Sequence, residues 1–591
     1  MKNRLTSLSS LVLILMGLSA CQSVPPVAPP ATDPASEAAA EPVITEQAQA
    51  PAPAVAEVPI PPESLLPLLH AEFLLRDRDL DAALEILTAE ALRLDDPALT
   101  RRALRLAEFR QDDPRALALA IKLSEQDSSD AAAAVTAMGL LIRAGEPEEA
   151  LVFARTAKAR GARINAPALL VSWDALEPDK RRAVATAVEA LASDWPEDQD
   201  IAIAVAYLRR AQEDPDRALA ALEPVLSVNP DEERALLLWS QIKLDSGAKR
   251  PFEKIRDAVA RNPDNEALRL QFARLLASAS ELDEAREQFA ALLTLSPRNG
   301  DYLFSLALIE IEANEPEAAK VNLQALLDLG QRPDEAQYYL GRVYENLEEY
   351  GAAIEAYDKV GPCREFFDAT RRAAELRLDS GDTLDFRDGF RRTRARNPGQ
   401  AEQLYGIEAE LLREIDETEL AIQVYTEALD LFPESMSLRY GRAMAHEALD
   451  DIPGMEGDLR AILKLEPNNA TTLNALGYTL TVHTTRYQEA ATLIERALEL
   501  SPGEPAILDS LGWVYFKLGR LLQAVDLLKE AYALFPDAEV AAHLGEALWV
   551  SGREQDALVV WRASLEREPE AEHVTDTLLR LGVTLDTSVI D

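Results

Sequence analysis

From about residue 65 onward the apolar positions recur with helical spacing, and proline breaks the pattern at regular intervals. Prolines stand at 230, 263, 297, 333, 398, 433, 467, 502, 536 and 569, spaced by 33 to 36 residues except for one interval of 65 that spans two units. In the unit that begins at Pro505, Leu511, Gly512 and Tyr515 occupy positions 7, 8 and 11, and Ala524, Leu528, Ala531 and Pro536 occupy 20, 24, 27 and 32. Such a unit holds two helices of about three to four turns and a short turn between them. Small residues at 8 and 20 let the two helices approach, and large residues at 4, 7, 11 and 24 fill the remaining space. Proline at 32 ends the second helix. Each hairpin keeps one apolar face bare until another stacks on it, so the pattern predicts a linear array.

The same positions recur elsewhere. The unit at 334 supplies Leu340, Gly341, Tyr344, Ala353, Tyr357 and Val360, and the unit at 538 supplies Leu544, Gly545, Ala557, Trp561 and Pro569. In the unit at 470, Leu476 and Gly477 fit and Ala490 and Ala497 come one residue late. The N-terminal third is more degenerate. Ala150, Ala154 and Ala157 fit a unit near 131, Ala218, Leu222, Val225 and Pro230 fit one from 199, and residues 65–130 and 163–198 predict helical pairs with weaker signatures. A period near 34 with these residues resembles the tetratricopeptide repeat over nearly the whole chain. The resemblance implies an all-α superhelical solenoid of about 10–15 helix pairs. Degenerate repeats are expected over 64–198, clear repeats over 199–571, and a capping helix with a tail over 572–591. No shift of composition after residue 65 announces a second fold class.

The first residues are read as a targeting segment. Lys2 and Arg4 precede an apolar run from Leu8 to Leu18 that is too short to span a bilayer, and Leu18-Ser19-Ala20-Cys21 resembles the lipobox of bacterial lipoproteins. The resemblance implies a signal peptide over 1–20 and acyl chains on Cys21, which at ~0.8 kcal/mol per buried CH₂ would anchor firmly. Position 22 is Gln rather than Asp, so the inner-membrane retention signal is missing and the outer membrane, periplasmic side, is the expected address. Of the 42 residues from 22 to 63, eleven are Pro and eleven Ala, with six acids and no Lys, Arg or aromatic residue. Such a segment has nothing to bury and is expected to be a disordered tether. In polyproline II geometry it would reach about 130 Å.

Charge narrows the partners. The chain carries 60 Lys and Arg against 102 Asp and Glu, a net charge of −42. That surface repels phosphate backbones and anionic headgroups, so no nucleic-acid partner is expected, and the membrane is reached only through the lipid anchor. Two Cys and five His are too few for a disulfide framework or a multi-ligand metal centre, and no cofactor is expected. No G-x-S-x-G elbow, phosphate loop or H-E-x-x-H motif occurs. The histidines at 70, 446, 483, 543 and 573 fall in different units and are expected as polar surface or edge residues, while Cys363 is expected between helices. The sequence therefore predicts a non-enzymatic protein.

Recognition remains. In a superhelix of this type, positions 2, 5, 9 and 12 of each first helix line the concave groove. These are Ala506, Asp509, Trp513 and Phe516 in the unit at 505 and Glu546 and Trp549 in the unit at 538. Asn474 and Tyr478 in the unit at 470, and Tyr338 and Arg342 in the unit at 334, complete the candidates. Aromatic residues there are either binding anchors or packing for the next superhelical turn. A basic, Asn-rich clamp for terminal carboxylates is absent from these positions, so a partner with a basic patch or a hydrophobic docking helix is expected.

Lipobox, tether and repeats together resemble outer-membrane lipoprotein adaptors that serve a periplasmic carboxyl-terminal processing protease. That resemblance implies a protein that binds and activates a serine protease of this type. It further implies delivery of peptidoglycan hydrolases to the protease, restraining cell-wall hydrolysis. The alternative is a structural scaffold of an envelope secretion, exopolysaccharide-export or pilus assembly machine, built from the same parts.

Overall fold

The computed structural model describes residues 60–163, 177–381 and 383–585, with Leu170 and Trp173 between the first two stretches. The targeting segment, Cys21, nearly all of the tether and the last six residues lie outside them, as does most of the segment from 163 to 176. Thirty α-helices and no strand occur among the described residues. The fold is an all-α solenoid of helical hairpins. The first helix, Pro62–Arg76, begins inside the stretch read as tether, because a proline at the first helical position costs no hydrogen bond and presets φ.

Two local devices account for the hairpins. Asp79, Asp96, Asp112, Asp130, Asp198 and Asp214 cap helix starts by accepting backbone N–H groups two or three residues on, and Asn265, Asn299 and Asn469 do the same. Part of the acidic excess is therefore structural. Most turns inside hairpins pass through a single left-handed residue, glycine at Gly519 (φ 75°) and Gly552 (φ 78°) but Glu348, Asp416 and Asp450 elsewhere.

Contacts divide the chain between Asn322 and Leu323 into two units. In the N-terminal unit one core cluster joins Leu84, Leu87, Leu104, Leu119 and Leu123. A second runs from Met138 past Trp239, Phe272 and Phe289 to Ile309. Arginines about thirty residues from their partners tie neighbouring hairpins. Arg101 reaches Asp130 at 2.9 Å, Arg110 reaches Asp81 at 2.7 Å, and Arg234 with Arg163 flanks the buried Asp200. In the C-terminal unit the core passes from a Phe366, Phe386, Phe390 and Tyr425 cluster to one around Leu476 and Ile494, then to one around Leu528 and Trp561. A relay of clusters is what nearest-neighbour stacking produces.

The close approach predicted at position 8 is present. A Cβ on Gly512 would lie 2.6 Å from Leu528 and 3.3 Å from the carbonyl oxygen of Ala524, the residues at 24 and 20 of the same unit. Gly341 faces Tyr357 and Gly545 faces Trp561 in the same way, again position 8 on position 24. The final helix, Glu572–Leu581, buries Val574 and Leu578 against the Leu528–Trp561 cluster.

Candidate functional site

In the C-terminal unit the first helices of successive hairpins are Ala401–Glu414, Met436–Ala448, Ala470–His483, Pro505–Lys517 and Ala538–Val550. They turn one row of side chains to a common groove with two chambers. One chamber, about 540 Å³, is lined by Gln403, Gly406, Glu410 and Arg413 together with Tyr440 and Met444. The other, about 430 Å³, shares Tyr440 and Met444 and continues through Asn474, Tyr478 and Asp509 to Glu539 and Val540. Counted from residues 402 and 436, positions 2, 5, 9 and 12 all line the chambers, whereas from 470 only positions 2, 5 and 9 do and from 505 only positions 2 and 5. Tyr440, Met444 and Glu447 stand at 5, 9 and 12 of a unit from 436. That unit lies outside the four from which candidates were drawn, although the same spacing finds them.

Asn474, Tyr478 and Asp509 meet at the second chamber. The Oδ1 atom of Asn474 is buried there without a hydrogen-bond partner. Tyr478 donates its hydroxyl hydrogen to Glu539. Burial, and then that carboxylate, push the phenol well above its ordinary range. Asp509 is only 6% exposed and lies 3.0 Å from Nδ1 of His543, which must carry its proton there to donate. His543 is thus buried between helices, not at the surface as the sequence suggested. The 34-residue separation of His543 from Asp509, one repeat in sequence, places the two side by side in space.

Trp513 is 7% exposed and lines neither chamber. Its ring stacks on His543 at 4.0 Å and on Phe516 at 5.0 Å, and the Lys517 ammonium sits 4.2 Å from its centroid. Desolvation lowers the pKa of Lys517. Glu546, 4% exposed, accepts both arms of Arg580 from the last helix at 2.7 and 2.5 Å. Trp549 is half-buried, 5.9 Å from Trp561. Of the two readings open for these aromatics, packing on the neighbouring hairpin describes Trp513. Tyr338 and Arg342 line a different stretch, on Pro333–Asn346. Tyr338 is buried and donates to Asp368 at 2.7 Å, and desolvation, reinforced by that carboxylate, raises its pKa. Arg342 is half-buried beside it.

Cys363 is half-buried against the Phe366 cluster, and burial pushes its thiol up to about 11, so it is protonated at neutral pH. Five arginines fall on Thr383–Arg396, but Arg387 and Arg394 are committed to Glu408, whose side chain has no exposed surface. Among the described residues no group of three or more His, Cys, Asp or Glu is placed to hold a metal ion. No described helix is long and apolar enough to cross a membrane.

A stacked array of helical hairpins with a groove in its C-terminal unit defines a repeat scaffold for protein–protein interaction, a class whose members are typically non-catalytic. Tetratricopeptide-repeat family profiles match residues 270–320, 304–363, 468–537 and 510–571. Over 487 residues the chain is 35% identical to the TPR repeat-containing protein PA4667 of Pseudomonas aeruginosa, covering 82% of each. The chain belongs to this family of tetratricopeptide-repeat proteins. A shorter match, 27% over 201 residues, is to Bacteriophage adsorption protein A of Escherichia coli, covering 34% of this chain and 20% of that one. Among solved structures, the thermophilic repeat protein TTC0263 of Thermus thermophilus covers 30% of the chain at 21% identity and a TM-score of 0.27. MamA of Desulfovibrio magneticus covers 29% at 19% identity and 0.26.

Proposed function

We propose that this protein is a lipid-anchored adaptor of the outer membrane, facing the periplasm. It binds and activates a carboxyl-terminal processing protease and brings peptidoglycan hydrolases to it. The observation that carries the reading is a scaffold of repeats behind a Cys21 lipobox and a 42-residue Pro/Ala tether, a combination that resembles the adaptor LbcA of the protease CtpA. In this reading the acyl chains hold the array at the membrane and the tether lets it sample the space beneath. Protease and substrate bound to one array meet at an effective concentration set by the array rather than by the compartment. The chain's role is capture and presentation, and the bond-breaking groups belong to the protease.

The test is capture with the full chain from a detergent-solubilised envelope, with bound proteins identified by mass spectrometry. Co-recovery of a serine protease of that type with wall hydrolases is expected, and so is palmitate labelling that Cys21→Ser abolishes. Recovery of polymer-export or pilus proteins and no protease would overturn the adaptor reading in favour of a machine scaffold.

A further inference from the structure

We propose that the two-chambered groove of the C-terminal unit takes an extended protein segment in which a basic residue accompanies large apolar side chains. The inference rests on the scaffold reading above and specifies which segment the scaffold recognises. Three observations lead to it. The first is shape. The chambers, about 540 and 430 Å³, adjoin at Tyr440 and Met444, and neither alone would hold more than about one turn of a 10 Å-wide helix. An extended chain sends alternate side chains to one side at a spacing of about 6.6 Å, so it can place one in each chamber and cross between them at the partition.

The second observation is charge. Glu447, Asp509, Asp537 and Glu539 line the second chamber, and no Lys or Arg does. Asp509 is turned to His543, Asp537 caps its helix through the N–H of Glu539 at 2.8 Å, and Glu539 accepts the Tyr478 hydroxyl on Oε1, which leaves Glu447 and the second carboxylate oxygen of Glu539 for an incoming cation. Arg413 is the single cation along the first chamber. A carboxylate-bearing segment would meet uncompensated repulsion here, so the groove selects by sign, against acidic tails and for basic residues. The third observation is the lining itself. Met444 and Met455 with Tyr440 and Val540 form an apolar floor, and unbranched thioethers adapt to differently shaped side chains. The groove therefore suits a set of related segments rather than one.

The test uses the full chain and two fluorescein-labelled twelve-residue peptides with identical Leu and Phe positions, one carrying Lys and the other Glu at the remaining charged sites. Anisotropy should show binding of the Lys peptide that weakens as salt is raised, and none of the Glu peptide. Glu447→Gln with Glu539→Gln should weaken the Lys peptide about 10-fold with helical content unchanged. Met444→Lys, which places a cation on the partition, should abolish binding. Equal binding of both peptides, absence of Lys-peptide binding, or wild-type affinity in the double variant would overturn the inference. A chain that captures envelope proteins but neither peptide loses this inference and keeps the scaffold reading. A chain that binds the Lys peptide but captures no protease keeps the inference and loses the adaptor.

Discussion

Replacing Gly545 by alanine sets two energies against each other. Gly545 lies inside the helix Ala538–Val550, where alanine recovers about 0.5–1 kcal/mol of helix propensity. The added Cβ, however, would be driven into the indole of Trp561 on the paired helix Glu554–Arg567, meeting Nε1 first and standing 2.7 Å from Cδ1. Trp561 has no exposed surface and is tilted against Trp549, so the ring cannot swing aside without opening the core. Overpacking costs about 1–3 kcal/mol, and with three ring atoms inside 3.0 Å the upper part of that range, about 2–3 kcal/mol, applies, which leaves a net loss of about 1–2.5 kcal/mol. Gly457 supplies the control. It sits on the exposed face of Ile452–Leu465, where a Cβ meets nothing within 4 Å, and the same substitution should gain about 0.5–1 kcal/mol. Urea unfolding followed by far-UV circular dichroism compares the three chains. Because a repeat array need not melt in one step, amide hydrogen exchange over 538–567 reads the perturbed hairpin by itself. A Gly545→Ala chain as stable as the wild type, with that hairpin equally protected, would refute the claim that position 8 is small because the second helix passes too close.

Three further outcomes are expected. Glu408, fully buried between Arg387 at 3.2 Å and Arg394, should tolerate leucine poorly: Arg394 loses its counter-charge and Arg387 keeps only Glu427 at 3.6 Å, at a cost of about 3 kcal/mol in urea unfolding. Glu456 is held down to about 2 by its hydrogen bond from Arg486 and then by Arg460. Its contribution is complete above the ordinary value near 4.5 and is lost as pH falls through about 2, so the wild-type melting temperature should fall more steeply than that of Glu456→Gln over this window. Arg580→Ala strands the buried carboxylate of Glu546 and should cost about 1–3 kcal/mol, read as faster hydrogen exchange in the final helix, Glu572–Leu581.

How much of this could be read from the sequence follows from what each residue does locally. Gly512 and Leu528 are sixteen residues apart and meet in every hairpin of their kind, so their pairing repeats along the chain and shows as a pattern. His543 and Asp509 meet once. Their contact depends on how one hairpin is rotated onto the next, and no periodicity records a contact made a single time. The same holds for Arg580 on Glu546 and for Arg387 and Arg394 closing over Glu408. The groove lies between these cases. Its lining positions repeat, and Tyr440, Met444 and Glu447 were within reach of the spacing. Which of these side chains stay available was not, because that depends on unrepeated contacts: Asp509 pairs with His543 and Trp513 stacks on it outside both chambers, whereas Tyr440 and Met444 still line them. Specificity in a repeat scaffold therefore resides in the departures from its period. A chain that kept the hairpin signature but exchanged Glu447, Asn474 and Glu539 would fold into the same array and select a different segment.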